Sequence, residues 1–535
     1  MTTNDSETGS IHRNGYNYSL WNIWVASTLL KILLFPTLPS HDFNVYRNWI
    51  SITNLIPLKD WYNETLSPYP LKCSPFFAYF QWILSKISQY FIISDNNDNS
   101  MKIIIFQRST VIISEMLLFL ALQWFIDISK SNKEKRRNFV ISASIVLSPG
   151  LFIIDHINFQ FNGFLFGILI LSLVNAKLGN YLKCSFWFTI LICFKSNFIF
   201  ISPAYLTFLI SSYCLNPIIK KKSYWDYKLK DIINIINWIN LIKLSITILL
   251  VLTIAFIPFI YYGVINDIFN RLFDNSQLEI TNNYWAPNVW ALYSFTDKLL
   301  ILLNEKLPIL NKLFSIEYNY SPNKQFKILP NIENRHTFLL IIFYQIMSII
   351  PIIFQPNFER LVGSISLCGY SYYLFGWHIE EKFIMMIIIP LTFVICQDRR
   401  LLPSFQLLTS SGYISLFPIL KGSNEWMFKS LITFVWFIVF QTSFSEVTHF
   451  SRIININTRV IVLDRLNLIY MLLFAPLCII IQLINIFNLD FDLNFDLNYI
   501  WLIVYSIYCS FGVISSWSSI SWLYFLDDPI WIGKD

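Results

Sequence analysis

Apolar residues run in long blocks along this chain, and polar residues collect in short clusters between them. A membrane-spanning helix needs about 20 mainly apolar residues. Blocks of that kind lie near 20–38, 101–127, 138–154, 161–176, 183–199, 200–216, 242–262, 336–356, 361–376, 382–396, 404–420, 426–442, 465–488 and 499–525. The pattern therefore predicts an all-α polytopic membrane protein with about 14 transmembrane helices. The stretch 183–216 is interrupted by Lys195 and Pro203, which fits a short hairpin as well as two crossings.

The polar remainder sets an orientation. Ser129–Arg137 holds five cations, Lys220–Lys222 with Lys228 and Lys230 holds five more, and Arg399–Arg400, Arg452 and Arg459 mark further loops. With an even number of spans all of these share one face with both termini, and the positive-inside rule makes that face cytosolic. The opposite face receives two long segments, about 39–100 and 263–335. Three regions follow: a cytosolic tail at 1–19, a core at 20–425 that carries both long loops, and C-terminal helices at 426–535 with a short cytosolic tail. The first 19 residues are polar, so no cleaved signal peptide is expected.

Composition removes whole classes of function. Only 13% of 535 residues are charged while 55% are hydrophobic, against about a quarter charged in soluble domains. A soluble enzyme is excluded. So is a nucleic-acid binder, because the net charge of +6 is dispersed through short loops. Eight cysteines show no CxxC pair or metal-ligand spacing, and they read as small apolar residues.

Long loops commonly carry function. The first opens with His41-Asp42-Phe43-Asn44-Val45-Tyr46-Arg47-Asn48-Trp49, and its aromatic spacing suggests amphipathic helices in the interface. Asp42 follows directly on the first span. It can cap the next helix or serve as a base, and at a low-dielectric boundary a carboxyl tends toward a raised pKa. The Asn488–Asn498 repeat contains Asp-x-Asp but sits in a low-complexity loop and reads as a chance match.

Several motifs in order resemble one family. They are Asp42-Phe43-x-x-x-Arg47-Asn48-Trp49, Ser74-Pro75-Phe76-Phe77-Ala78, Asp155-His156-Ile157-Asn158-Phe159-Gln160-Phe161-Asn162-Gly163, Tyr284–Tyr293, Phe375–Lys382 and Tyr413–Pro418. Together they resemble the dolichyl-phosphate-glucose-dependent α-1,3-glucosyltransferases of the endoplasmic reticulum, over about residues 20–425. The run Trp-Ala-Pro-Asn-x-Trp-Ala-Leu-Tyr and the Gly-Trp-His before Glu-Lys resemble the member that adds the second glucose to the lipid-linked oligosaccharide. Three departures stand out: Asn44 and Glu380 replace an acidic residue and a histidine, and a longer Arg-containing segment survives only as Arg271-Leu272-Phe273.

The resemblance implies a GT-C-type glycosyltransferase in the endoplasmic reticulum membrane, with a luminal site. Its donor is dolichyl phosphate glucose, its acceptor a lipid-linked oligosaccharide, and it needs no metal or cofactor. Displacement with inversion requires one base and cations for the departing phosphate. Asp42 is the expected base. Arg47, Lys195, Arg271, His378 and Lys382 are the phosphate candidates by type and side, and Asp155, His156, Gln160, Asn162, Trp285 and Glu381 the acceptor or sugar candidates. The first-glucose enzyme of the same family and a multi-span transporter are the alternatives, although no inverted repeat is visible. Sequons at Asn63 and Asn319 face the lumen in this topology.

Overall fold

A computed structural model describes residues 18–37, 39–64, 67–92, 101–215, 236–273, 286–306, 326–419, 425–448, 465, 467–479 and 497–531. Trp285, Asn319, Lys220–Lys222, Lys228, Lys230, Arg452, Arg459 and most of the 488–498 repeat lie outside them.

The described chain is helical, with a single antiparallel bridge, Leu215 to Ile236, and no strand. Its helices are α1 Trp21–Leu33, α2 His41–Leu55, α3 Pro75–Ile92, α4 Met101–Asp127, α5 Asn132–Val146, α6 Asn162–Lys177, α7 Tyr181–Phe194 and α8 Ser202–Leu209. They continue with α9 Trp238–Tyr261, α10 Ile265–Phe273, α11 Val289–Lys306, α12 Asn334–Phe354, α13 Phe358–Phe375, α14 Met385–Thr392, α15 Leu401–Ser415, α16 Trp426–Val447, α17 Asn467–Ile479 and α18 Leu497–Leu526.

Among the described residues seven helical segments are long and apolar enough to cross a membrane: 101–127, 132–157, 196–214, 238–261, 334–354, 426–447 and 502–526. Four shorter apolar helices accompany them. Helix α9 shows what surrounds them. Leu244, Val251, Ala255 and Phe259 are buried along one seam, while Ile239, Ile242, Ile246, Leu249, Ile254 and Ile257 are all more than half exposed. A helix that leaves its isoleucines outside is solvated by hydrocarbon, since water would penalise that surface.

The expected blocks at 382–396 and 183–199 take other forms, while 200–216 falls within the membrane-length segment 196–214. The 382–396 block is a 3₁₀ turn at Glu381–Ile384, the eight-residue α14 and a second 3₁₀ turn, and a helix that short does not cross alone. Near 183–216, α7 stops at Phe194, and Lys195 adopts an extended conformation (φ −146°, ψ 110°) before the chain re-enters helix. Pro203 stands in the first turn of α8, where its missing N–H costs nothing.

The core joins α4 with α6, α6 with α7, α12 with α13, and α15 with α18. Helix α13 is buried from Arg360 to its end at Phe375. The described part of the first long segment forms two helices, α2 and α3, packed on each other. A second aromatic core of Phe43, Trp49, Trp61, Tyr62, Phe77, Phe159 and Phe161 fixes them to the turn that follows α5.

Candidate active site

The site starts at the head of α2. Ser40 is extended (φ −79°, ψ 170°), and its hydroxyl accepts from Phe43 N at 3.1 Å. That is an N-cap, and it belongs to Ser40. The capping reading of Asp42 is thereby corrected. Asp42 sits in the first turn, where the helix dipole favours a carboxylate, and its side chain is 20% exposed.

Three donors converge on one oxygen of that carboxylate. Asp42 Oδ2 accepts from Lys382 Nζ at 2.7 Å, Gln160 Nε2 at 2.6 Å and Asn158 Nδ2 at 2.8 Å. His41 Nδ1 lies 3.8 Å from the other oxygen, Oδ1.

The two amides reach Asp42 because of the backbone between them. A π-helical turn, Phe152–Ile157, ends at Asn158, and Phe159 follows with φ 68°. A left-handed phenylalanine costs about 1–3 kcal/mol. It is held by its own ring, which packs edge-on to Phe43, Tyr46 and Phe161. His378, ahead of Lys382, is a second residue in this region, with φ 50°. Such outliers cluster at functional sites.

Asp155, buried, holds the start of the next helix. Its Oδ1 accepts from Asn162 N and Nδ2, both at 3.0 Å, and its Oδ2 from Gly163 N at 2.5 Å. His156 is also turned inward, its Nε2 lying 2.9 Å from Glu115 Oε2, and Lys31 Nζ donates to Glu115 Oε1 at 2.7 Å. Asp155 and His156, the expected sugar contacts, are here engaged with the turn and with Glu115. Gln160 and Asn162 join the Asp42 network. Asn162 Nδ2 donates to Gln160 Oε1 at 2.8 Å, and Asn162 Oδ1 accepts from Lys195 Nζ at 3.0 Å. A continuous polar chain thus runs Lys382, Asp42, Gln160, Asn162, Lys195.

Lys195 also stands 5.4 Å from the centre of the Phe383 ring, which brings the end of α7 against the 3₁₀ turn that carries Lys382. Glu380 Oε2 lies 3.5 Å from Lys382 Nζ and is 46% exposed, so the departure at position 380 is neutralised by the neighbouring ammonium. Asn44 points to solvent. Arg47 and His378 occupy the same two segments as Asp42 and Lys382, each half-buried. Arg271 is engaged elsewhere. Its Nε donates to Tyr62 O and its terminal nitrogen to Glu64 O, each at 3.0 Å. Through these two carbonyls it clamps α10 onto the first loop.

The charges are unequal in ease. Burial pushes the Asp42 carboxyl upward, but Lys382 and the Gln160 amide outweigh it and hold the group below the usual carboxylate range. The raised value expected for a boundary carboxyl is thus found elsewhere, at Glu381, which burial pushes to about 7 despite Lys382 beside it. No group of three or more His, Cys, Asp or Glu side chains able to hold a metal ion occurs among the described residues.

Reading residue types along the chain missed Asn158, Ser40, Arg108, Lys31 and Glu115. The last three were signalled by charge inside apolar blocks, which is costly and seldom idle.

The amino-acid sequence, compared with known proteins, matches one family. The sequence profile of the ALG6, ALG8 glycosyltransferase family aligns with residues 27–520. The chain belongs to this family. Relatives in it include a protein of Debaryomyces hansenii, 43% identical over 97% of this chain and 96% of that relative. Another, from Kluyveromyces lactis, is 44% identical over 96% and 95%, and one from Saccharomyces cerevisiae is 41% identical over 96% and 93%. All three carry the name dolichyl pyrophosphate Glc1Man9GlcNAc2 alpha-1,3-glucosyltransferase. Within the ALG6, ALG8 family this chain is a glucosyltransferase, and the Asp42 network is its strongest catalytic candidate.

Proposed function

We propose that this protein transfers glucose from dolichyl phosphate glucose, in α-1,3 linkage, to the monoglucosylated dolichyl-diphosphate oligosaccharide, adding the second glucose. The relatives' names supply the acceptor, which already bears one glucose. The reaction takes place at the luminal face of the endoplasmic reticulum membrane.

One observation carries the mechanism: a single carboxylate, Asp42, is hydrogen-bonded to Lys382 at 2.7 Å and connected through two amides to Lys195. The acceptor hydroxyl gives its proton to Asp42 while its oxygen attacks the anomeric carbon. The bond from that carbon to the phosphate oxygen breaks, and the phosphate leaves with the electron pair. Lys382 and Lys195 receive the developing charge, as preorganised cations do in a low-dielectric site. A lowered carboxyl pKa is a poor start for a base. When Lys382 turns toward the donor phosphate, Asp42 loses its counter-ion and gains basicity at the step that needs it.

The test is transfer from a synthetic polyprenyl phosphate glucose to a monoglucosylated lipid-linked acceptor by purified enzyme. Asp42→Asn keeps the size of the side chain and spares the Ser40 cap, so folding should persist while turnover falls on the order of 10²-fold or more. Near-normal turnover would move the base to Glu381 or Glu64. Equal transfer to an acceptor without glucose would reject the second-glucose assignment.

A further inference from the structure

Asp42 and the amides that hold it belong to different parts of the chain, and one buried side chain ties those parts together. Arg108, in the first turns of α4, is 3% exposed. Its Nη1 donates to Leu34 O at 2.7 Å and to His156 O at 2.9 Å, and its Nη2 to Thr37 O at 3.2 Å. Leu34 and Thr37 lie on the short segment that leads from α1 into Ser40 and Asp42. His156 lies on the π-turn that leads into Asn158 and Gln160. The guanidinium therefore grips both approaches to the site, one on each side of the Asp42 hydrogen bonds.

A second tie joins the same two segments: the Ser40 hydroxyl donates to Asn158 O. The turn is braced from behind by Lys31, Glu115 and His156, all buried. We infer that Arg108 is a positioning residue for catalysis, setting the separation between Asp42 and the Asn158 and Gln160 amides without touching any reacting atom. The inference rests on Asp42 being the base.

The chemistry of Arg suits this role. A planar fork of donors spans carbonyls on two segments at fixed angles, whereas a lysine ammonium is a flexible point donor. Arg108→Lys keeps the charge but not the fork. With the fork gone the two segments separate slightly, and displacements of about 1 Å at a reacting centre can cost on the order of 10²-fold in rate.

The experiment is a kinetic cycle on full-length enzyme in detergent or lipid nanodiscs. Arg108→Lys should lower kcat on the order of 10-fold to 10²-fold and leave the donor KM within about twofold. In an Asn158→Ala/Gln160→Ala background the same substitution should have little further effect, because the amides it positions are gone. Ser40→Gly retains an acceptable cap and removes the second tie; it should lower kcat in the same direction and be non-additive with Arg108→Lys, and it carries the test if the Arg108 variant fails to fold. Wild-type kcat in both variants, or an undiminished loss in the amide-free background, would overturn the inference. Activity of Asp42→Asn would instead overturn the assignment of the base, so the two failures are distinguishable.

Discussion

Lys382 Nζ meets Asp42 Oδ2 at 2.7 Å across 340 residues of sequence. The pair is only partly buried, with side chains 14% and 20% exposed, so each partner remains within reach of a ligand. A pair meant solely to stabilise the fold gains nothing from such access. The proposed passage of the ammonium from carboxylate to phosphate requires it.

Removing the ammonium should expose the carboxylate's dependence on it. In wild-type enzyme Lys382 and Gln160 hold Asp42 below the usual range, so its acid limb in kcat/KM lies below the pH of normal assay. In Lys382→Met burial acts without its main opponent, and the limb should move up, into or above the ordinary carboxylate range. Turnover should fall on the order of 10²-fold at neutral pH through loss of phosphate stabilisation. A pH profile superimposable on wild type would separate Lys382 from the function of Asp42.

Two ion pairs make an internal control for stability. Lys31 and Glu115 are 0% and 1% exposed at 2.7 Å, whereas Arg136 and Glu446 are 57% and 65% exposed at 3.2 Å. Glu115→Gln leaves the Lys31 charge buried without its counter-ion, a change that costs about 3–5 kcal/mol. Glu446→Gln removes a screened surface pair worth roughly 0–1 kcal/mol. Thermal unfolding should show a marked loss in the first variant and almost none in the second. Equal shifts would mean that water reaches Lys31.

How far the sequence disclosed this arrangement depends on the kind of information each residue carries. The apolar blocks announce helices because period and length are local, and α4, α9, α12 and α16 appear where the blocks lie. Asp42, Lys195 and Lys382 were visible as charges at block ends, where charge is expensive. Their meeting was not visible, because it depends on the left-handed turn at Phe159, and nothing in Asn-Phe-Gln announces a positive φ on phenylalanine. Asp155 and His156 were ambiguous for a related reason: polar side chains in a short turn look the same in sequence whether they face a ligand or the helix ends behind them. The 382–396 block misled by composition, since α14 is apolar because it is buried by protein on all sides, and burial by neighbours and by lipid select the same residues.

Topology has a direct chemical readout at Asn63. It is exposed in the first long loop, between the buried Tyr62 and the sequon threonine. If that loop is luminal, expression in a eukaryotic host should give a glycan that endoglycosidase removes, and Asn63→Gln should abolish the mobility shift. Protease access to the first loop from the cytosolic face of intact microsomes would reverse the orientation, and with it the side on which Asp42 works.

Glu381 offers a pH test that Asp42 and Lys382 leave undisturbed, since one is held below the usual range and the other above it. Burial raises the Glu381 carboxyl from 4.5 to about 7, so the folded protein binds its proton more tightly than the unfolded chain does. The sign follows: this contribution to stability is fully present below about pH 4.5 and is lost as the pH rises through about 7. Between those values the wild-type melting temperature should decline by more than in Glu381→Gln, whose amide stays neutral at every pH. At pH 8 the variant should therefore melt higher than wild type, by about 2 °C in a chain of this size, while at pH 4.5 the two should coincide. Melting curves at the two pH values decide it. A variant less stable than wild type at pH 8 would show that Glu381 is ionised and paired in the folded protein, and that its charge supports the site instead of burdening it.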